Sequence, residues 1–294
     1  MANVARRGIL LAGGRGTRLY PLTASVSKHF MAVFDKPMVY YPLTTLMMVG
    51  VREVLVISTP EDVPRYRALL GDGESWGIRI AYAEQAAPRG IAEALVIGEE
   101  FVDSSPVTLV LGDNLIYGQY DFLRKAVDDD PTNATIFAYR VDDPSSYGVI
   151  DFDDEGTVVS IEEKPSRPKS HWAVPGLYLY PSGVAAEVRE MAPSGRGELE
   201  ITDLNRRYLE QGRLKARKIG RGTAWFDTGT PRDLLEAANF IEAIQRRQGL
   251  IIGCPEEVAY RQGFIDHDQL MARIADLPEC SYRDYLERIA DDLA

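Results

Sequence analysis

The stretch GILLAGGRGTR, residues 8–18, decides the fold. Its first five residues form an unbroken apolar or small run, which suits a parallel strand buried on both faces. Glycines at 13, 14 and 16 follow at once. Glycine tolerates unusual φ and carries no side chain, so this turn can bring main-chain N–H groups up to a ligand, and phosphate is the natural guest. An ordinary tight turn would explain the glycines alone equally well. Arg15, Arg18 and Lys28 favour phosphate, because they gather cations around one loop of an acidic chain. Two commoner phosphate loops are excluded. Gly-x-Gly-x-x-Gly begun at Gly14 needs a glycine where Leu19 stands, and the P-loop needs a Gly-Lys-Ser/Thr ending. These departures argue against a dinucleotide-dependent oxidoreductase and a P-loop kinase.

Further apolar runs at 54–57, 78–83 and 107–111 alternate with helix-compatible spacing at 38–49 and 91–100. Such alternation predicts βαβ units with right-handed crossovers, hence a Rossmann-like, doubly wound α/β fold with a mostly parallel or mixed sheet. Ligands of such sheets gather beyond the carboxyl ends of the strands, here the loops after Ala12, Ala83 and Leu111. Shorter strand-like pieces follow at 134–180, ATIFAYRV, YGVIDF, TVVSIEE and GLYLY, separated by Asp, Pro and Gly turns. They predict an inserted smaller sheet region of mixed type. Helices are expected at 200–211 and at 232–247, the latter after the turn Asp227-Thr228-Gly229-Thr230-Pro231, and through the last 40 residues. The expected division is a core at 1–250 and a C-terminal helical segment at 251–294, with no linker rich in Gly or Ser between them.

Lys+Arg 33 against Asp+Glu 44 gives a net charge of −11, so the chain lacks the broad basic footprint of a nucleic-acid partner. Anionic ligands must meet locally placed cations. Cys254 and Cys280 stand far from any second Cys or His at metal-ligand spacing and read as reduced, structural residues. MANVARR leads directly into the first strand, and no run of 18 apolar residues occurs, so a cytoplasmic protein with no membrane partner is expected.

LAGGRGTRLYPLT with SK and DKPMVYYPL after it resembles the opening of the sugar nucleotidylyltransferases. The resemblance continues in order through LLGDG, LGDN, YGV, EEKP, SHWAVPGLY, RGELEITDLN, AWFDTGT and CPEEVAYRQGFI, nearly the whole chain. It implies in-line displacement at the α-phosphorus of a nucleoside triphosphate by a sugar 1-phosphate, with pyrophosphate leaving. The implied substrates are dTTP and α-D-glucose 1-phosphate, and the implied cofactor is Mg2+. UTP, another hexose or aminohexose 1-phosphate, and a non-catalytic nucleotide-sugar sensor remain alternatives.

Asp113, after VTLVL, and Asp227, after AWF, can both sit at strand ends, where hard carboxylate oxygens suit magnesium. Either could be a turn-capping aspartate on its own; the resemblance makes them the metal ligands. It also implies Arg18, Lys28 and Lys164 as catalytic cations, the first two toward the triphosphate and the third toward the sugar phosphate. Leu11, Gly13, Gly14, Gly16, Thr17 and Arg18 become nucleotide-binding, with Gln85 and Gly90 at the pyrimidine edge. Leu111, Tyr147, Gly148, Glu163, Lys164 and Val174 become the sugar-phosphate pocket, while Glu162, next along an extended segment, would point elsewhere. The residue before Pro165 should hold an extended or turning backbone. His29, Ala32, Arg89 and Pro175 depart from the usual pattern. Glu257 and Arg261 match a regulatory nucleotide site of tetrameric relatives, although the loop at 117–122 lacks the histidine often found near it. The implied oligomer is a homotetramer. A sensor should have lost a metal ligand or a phosphate cation, and Arg18, Lys28, Asp113, Lys164 and Asp227 are all present.

Overall fold

The computed structural model describes residues 5–14, 16–129 and 131–293; Arg15, one of the cations named above, lies outside the described residues. Four strands pair in parallel in the order Val107–Leu111, Arg7–Leu11, Glu53–Ser58, Arg79–Glu84. The first strand is central, with Ile9 paired to Leu109 on one side and Leu55 on the other. Ile9 and Leu10 are wholly buried, and burial of one such side chain is worth about 1.5–3 kcal/mol.

The inserted region at 134–180 is continuous with this sheet. Leu177–Tyr180 runs antiparallel beside Val107–Leu111, and Ala134–Arg140, Trp172–Val174, Gly148–Phe152 and Val158–Glu163 extend it outward. Leu214–Lys218 pairs parallel with Ala134–Arg140, which makes one ten-stranded mixed sheet. Two small sheets flank it, and one joins Leu115–Tyr117 to Ala224–Phe226.

Predicted helices fall at Tyr40–Met48, Ile201–Glu210 and Pro231–Gln248. The helix expected at 91–100 is two short ones, Glu93–Ile97 and Glu99–Val102. They meet at Gly98, where an added Cβ would lie 2.7 Å from Ile9 Cδ1. The C-terminal segment is three helices, Pro255–Arg261, His267–Ala275 and Ser281–Leu293, with intervening turns. The first of them packs on Tyr40–Met48. Cys254 is buried there and Cys280 is exposed; both are free thiols. Among the described residues, no helix is long and apolar enough to cross a membrane.

Candidate active site

The loop after the first strand lies at the carboxyl end of the parallel strands. Gly14 has φ 109, and a Cβ added there would meet nothing within 4 Å, so backbone conformation rather than space requires glycine. Gly16 is left-handed and starts the short 3-10 turn Thr17–Leu19. The turn is fixed by Leu19 N–H donating to Gly16 O at 2.9 Å and by Thr23 Oγ1 donating to the same carbonyl at 3.0 Å. Thr17 and Arg18 stand exposed on it, and Leu11 is buried beneath.

Asp113 and Asp227 arrive from different strands by one register. Phe226 pairs with Leu115 at the end of an antiparallel ladder, so the chain leaving this pair brings Asp227 and Thr228 alongside Asn114 and Asp113. The Thr228 hydroxyl donates to Asp113 O at 2.8 Å. Asn114, which sequence reasoning missed, is the buried hub. Its Nδ2 donates to Asp113 Oδ1 at 2.9 Å, and its Oδ1 accepts from Gly176 N–H at 2.8 Å and Trp225 Nε1 at 2.6 Å. Lys28 forms an ion pair with Asp113.

The two carboxyls are shifted in opposite directions. Burial pushes Asp113 up, but Lys28, His29 and the hydrogen bonds from Lys28 and Asn114 outweigh it, and the net shift is downward. Asp227 is raised, first by burial, then by the charges of Asp113 and Asp233, against Arg18 and the Gly229 N–H. Arg18 reaches this place: a Cβ added at Gly229 would lie 2.9 Å from Arg18 Nη2 and 3.3 Å from Asp227 Oδ2. Asp233 is held by a capping box with Thr230 at the start of Pro231–Gln248. Two half-buried, mutually repelling carboxylates facing a guanidinium and an ammonium can bind a hard cation and polyphosphate. Among the described residues, no group of three or more His, Cys, Asp or Glu could hold a metal by itself.

The pocket residues converge through sheet pairing. Gly148 pairs with Glu163 on one side and with Val174 on the other. Thr202, also missed from sequence, donates to Glu163 Oε2 at 2.6 Å. Glu162 faces away and pairs with Lys169 at 2.5 Å, as the strand's alternation requires. Lys164 has φ 42, so its backbone turns rather than extends, with its N–H donating to Tyr147 O at 2.9 Å. Its Nζ lies 3.4 Å from Glu163 Oε1. Leu111 N–H donates to Gly176 O at 2.8 Å. Tyr147 packs on Trp225, and its hydroxyl is pushed up to about 12 by burial, then by Asp227 and Asp233, against Arg18. The pocket therefore shares its electrostatics with the Asp227 site.

Gln85 follows the Arg79–Glu84 strand, and its Oε1 lies 3.5 Å from the Cβ position of Gly13. Gly90 leaves room for the main chain of Leu199, whose carbonyl would stand 2.3 Å from an added Cβ. His29 is buried, its Nδ1 is 3.2 Å from Ser27 Oγ, and its Cδ2 is 2.8 Å from the Cβ position of Gly112, so it packs beneath the strand ends. Pro175 is buried; Ala32 is exposed, and the Arg89 side chain is 70% exposed. Glu257 and Arg261 are joined at 2.7 Å, and Tyr285 also donates to Glu257, within the C-terminal helices.

The parallel half of the sheet thus carries at its carboxyl edge a glycine-rich cationic loop, paired aspartates and the side chains of Tyr147 and Glu163. Residues 7–244 match the nucleotidyl transferase family, and the chain belongs to it. Over 287 residues it is 52% identical to a glucose-1-phosphate thymidylyltransferase of Xanthomonas campestris pv. campestris (strain B100), covering 97% of both chains. The enzyme of the same name from Mycolicibacterium smegmatis is 50% identical over 285 residues, covering 97% of this chain and 99% of its own. A solved Bacillus anthracis structure in complex with a sucrose, provisionally assigned as a glucose-1-phosphate thymidylyltransferase, is 36% identical with a TM-score of 0.75, covering 80% of this chain and 95% of that one. A UDP-glucose pyrophosphorylase complexed with UDP-glucose, 22% identical with a TM-score of 0.70 over 82% of this chain and 99% of that one, shares the fold.

Proposed function

We propose that the chain transfers a thymidylyl group from dTTP to α-D-glucose 1-phosphate, releasing pyrophosphate and dTDP-glucose, with Mg2+. The observation that carries this reading is the meeting of two half-sites at Asp227. Arg18 reaches it from the glycine-rich loop, and Tyr147 adjoins it from the sugar side. Names of relatives about half identical over nearly the full chain support the choice of substrates.

In this reading, Gly13, Gly14, Gly16 and Thr17 receive the triphosphate with main-chain N–H groups, and Leu11 forms the floor beneath. Arg18 and Lys28 offset its charge. Gln85 and Gly90 meet the base. Glu163 holds the sugar hydroxyls in a pocket shaped by Tyr147, Gly148 and Val174, while Lys164 holds the sugar phosphate so that one of its oxygens faces the α-phosphorus. That oxygen forms the new P–O bond as the bond to pyrophosphate breaks. Asp113 and Asp227 fit Mg2+, which is commonly held by one or two carboxylates plus substrate phosphates. When bound there, it supplies charge neutralisation for the phosphates and the leaving group. The same reading gives Glu257 and Arg261 a regulatory nucleotide site and the chain a homotetrameric state.

The test is pyrophosphate release over a grid of nucleoside triphosphates and sugar 1-phosphates, with and without Mg2+. Release is expected to be fastest with dTTP and glucose 1-phosphate and to need the metal. No release from any pair would revive the non-catalytic sensor.

A further inference from the structure

Gln85 is buried, and the fate of each atom of its amide can be followed. The nitrogen lies 2.8 Å from Glu93 Oε2 and 3.2 Å from the main-chain carbonyl of Gly90. Both partners are acceptors, and the amide nitrogen carries two donors, so both donors are consumed. A flipped amide would press its carbonyl against a carboxylate and a carbonyl at once, so the partners dictate the orientation. What Gln85 has left to offer is Oε1 alone, and this atom lies over Gly13 in the glycine-rich loop.

Neither partner is free to adapt. Glu93 starts the short helix Glu93–Ile97, its side chain is 17% exposed, and its other carboxylate oxygen has Arg89 Nη1 at 3.8 Å. The segment carrying Gly90 is pinned by Leu199 N–H donating to Arg89 O at 2.7 Å and Ala92 N–H donating to Leu199 O at 3.1 Å.

We propose that Glu93 is a specificity-positioning residue: it locks the Gln85 amide so that the nucleoside pocket presents an acceptor and no donor. The inference rests on the reading that Gln85 meets the base. Thymine and uracil carry an N3–H donor at their pairing edge, and that proton matches Gln85 Oε1. Cytosine carries an unprotonated N3 there, so two acceptors would face each other with no proton between them. Rejection of a base that leaves a buried polar group unpaired is far stronger than rejection over one methyl. This contact therefore excludes cytosine and treats dTTP and UTP alike.

The experiment measures kcat/KM for dTTP, UTP and CTP with glucose 1-phosphate and Mg2+, in wild type, Glu93→Gln and Glu93→Asp, alongside the melting temperature of each. A glutamine at 93 can donate as well as accept, which removes the carboxylate's bar to a turned Gln85 amide and leaves only the Gly90 carbonyl, at 3.2 Å, against it. The CTP-to-UTP ratio of kcat/KM is expected to rise about tenfold or more in Glu93→Gln. Glu93→Asp keeps an acceptor-only partner and is expected to retain the wild-type ratio even if its rates fall. An equal fall for all three triphosphates in Glu93→Gln, or an unchanged ratio, overturns the inference while leaving the proposed reaction standing. A ratio that rises as much in Glu93→Asp also overturns it. Absence of release from wild type with every triphosphate overturns the reaction and the inference together.

Discussion

Thr228 donates its hydroxyl to the main-chain carbonyl of Asp113 at 2.8 Å, and this bond ties the ends of two strands that carry the paired carboxylates. Thr228 is wholly buried and holds φ 39, a conformation rarely adopted by a β-branched residue. Local strain of this kind persists where surrounding structure enforces it, commonly at functional sites. Thr228→Val keeps the shape and the branch but leaves the Asp113 carbonyl without this donor. The expected cost is about 1–3 kcal/mol of stability, with a fall in turnover from loosened carboxylates. Urea unfolding and pyrophosphate release measure the two effects; wild-type values in both would remove the tie from the site.

Lys164→Met tests the sugar-phosphate half. The side chain is about half exposed, and its Nζ lies near Glu163, so truncation of its charge leaves the fold alone. The expected result is a fall of roughly a hundredfold in kcat/KM for the sugar phosphate, the scale of one lost electrostatic stabiliser, with triphosphate binding nearly unchanged. Equal losses in both affinities would count against a role confined to the sugar phosphate.

The strand and loop of residues 8–18 were legible because burial on both faces and glycine chemistry leave a local signature. The family motifs grouped Gly148, Glu163 and Val174, but that Gly148 pairs with both is a matter of sheet register that no motif states. Asn114 was not legible. Its partners Gly176 and Trp225 stand 62 and 111 residues away, and only the sheet register brings them to one amide. For the same reason, the continuity of the inserted strands with the parallel half was hidden, since it depends on Leu177–Tyr180 meeting Val107–Leu111. Thr202 and Glu93 lie within helix-compatible stretches, and nothing in their spacing reveals the side chains they restrain.

The two thiols should separate cleanly by reactivity. Burial pushes Cys254 well above the ordinary thiol range, the nearby Glu256 adds to it, and the Tyr282 hydroxyl at 3.1 Å offsets only part. The reactive species is the thiolate, so Cys254 should be inert to a disulfide reagent at neutral pH, whereas Cys280 is exposed. One rapid equivalent is expected from native protein, two in urea, and none from native Cys280→Ser. A rapid equivalent from native Cys280→Ser would contradict the packing of the C-terminal helices.

His29 should make the fold acid-sensitive. Burial first, then the Lys28 charge, push its imidazole down to about 3 from 6.5, and Asp113 pulls the other way less strongly. Above pH 6.5 the ring is neutral in folded and unfolded chains alike and pH has no effect through it. Between that pH and about 3, the unfolded chain takes up a proton that the folded chain refuses, so stability falls with pH. The slope from one such group is about 1.4 kcal/mol per pH unit, or roughly 2 kcal/mol lost between pH 7 and pH 5. His29→Gln removes the titration while keeping a polar side chain near Ser27. Its urea midpoint should start lower than wild type at pH 7, and the gap should narrow or reverse by pH 5. Parallel curves for the two proteins would mean that His29 is hydrated or protonated in the native state, and the packing beneath Gly112 would then be wrong.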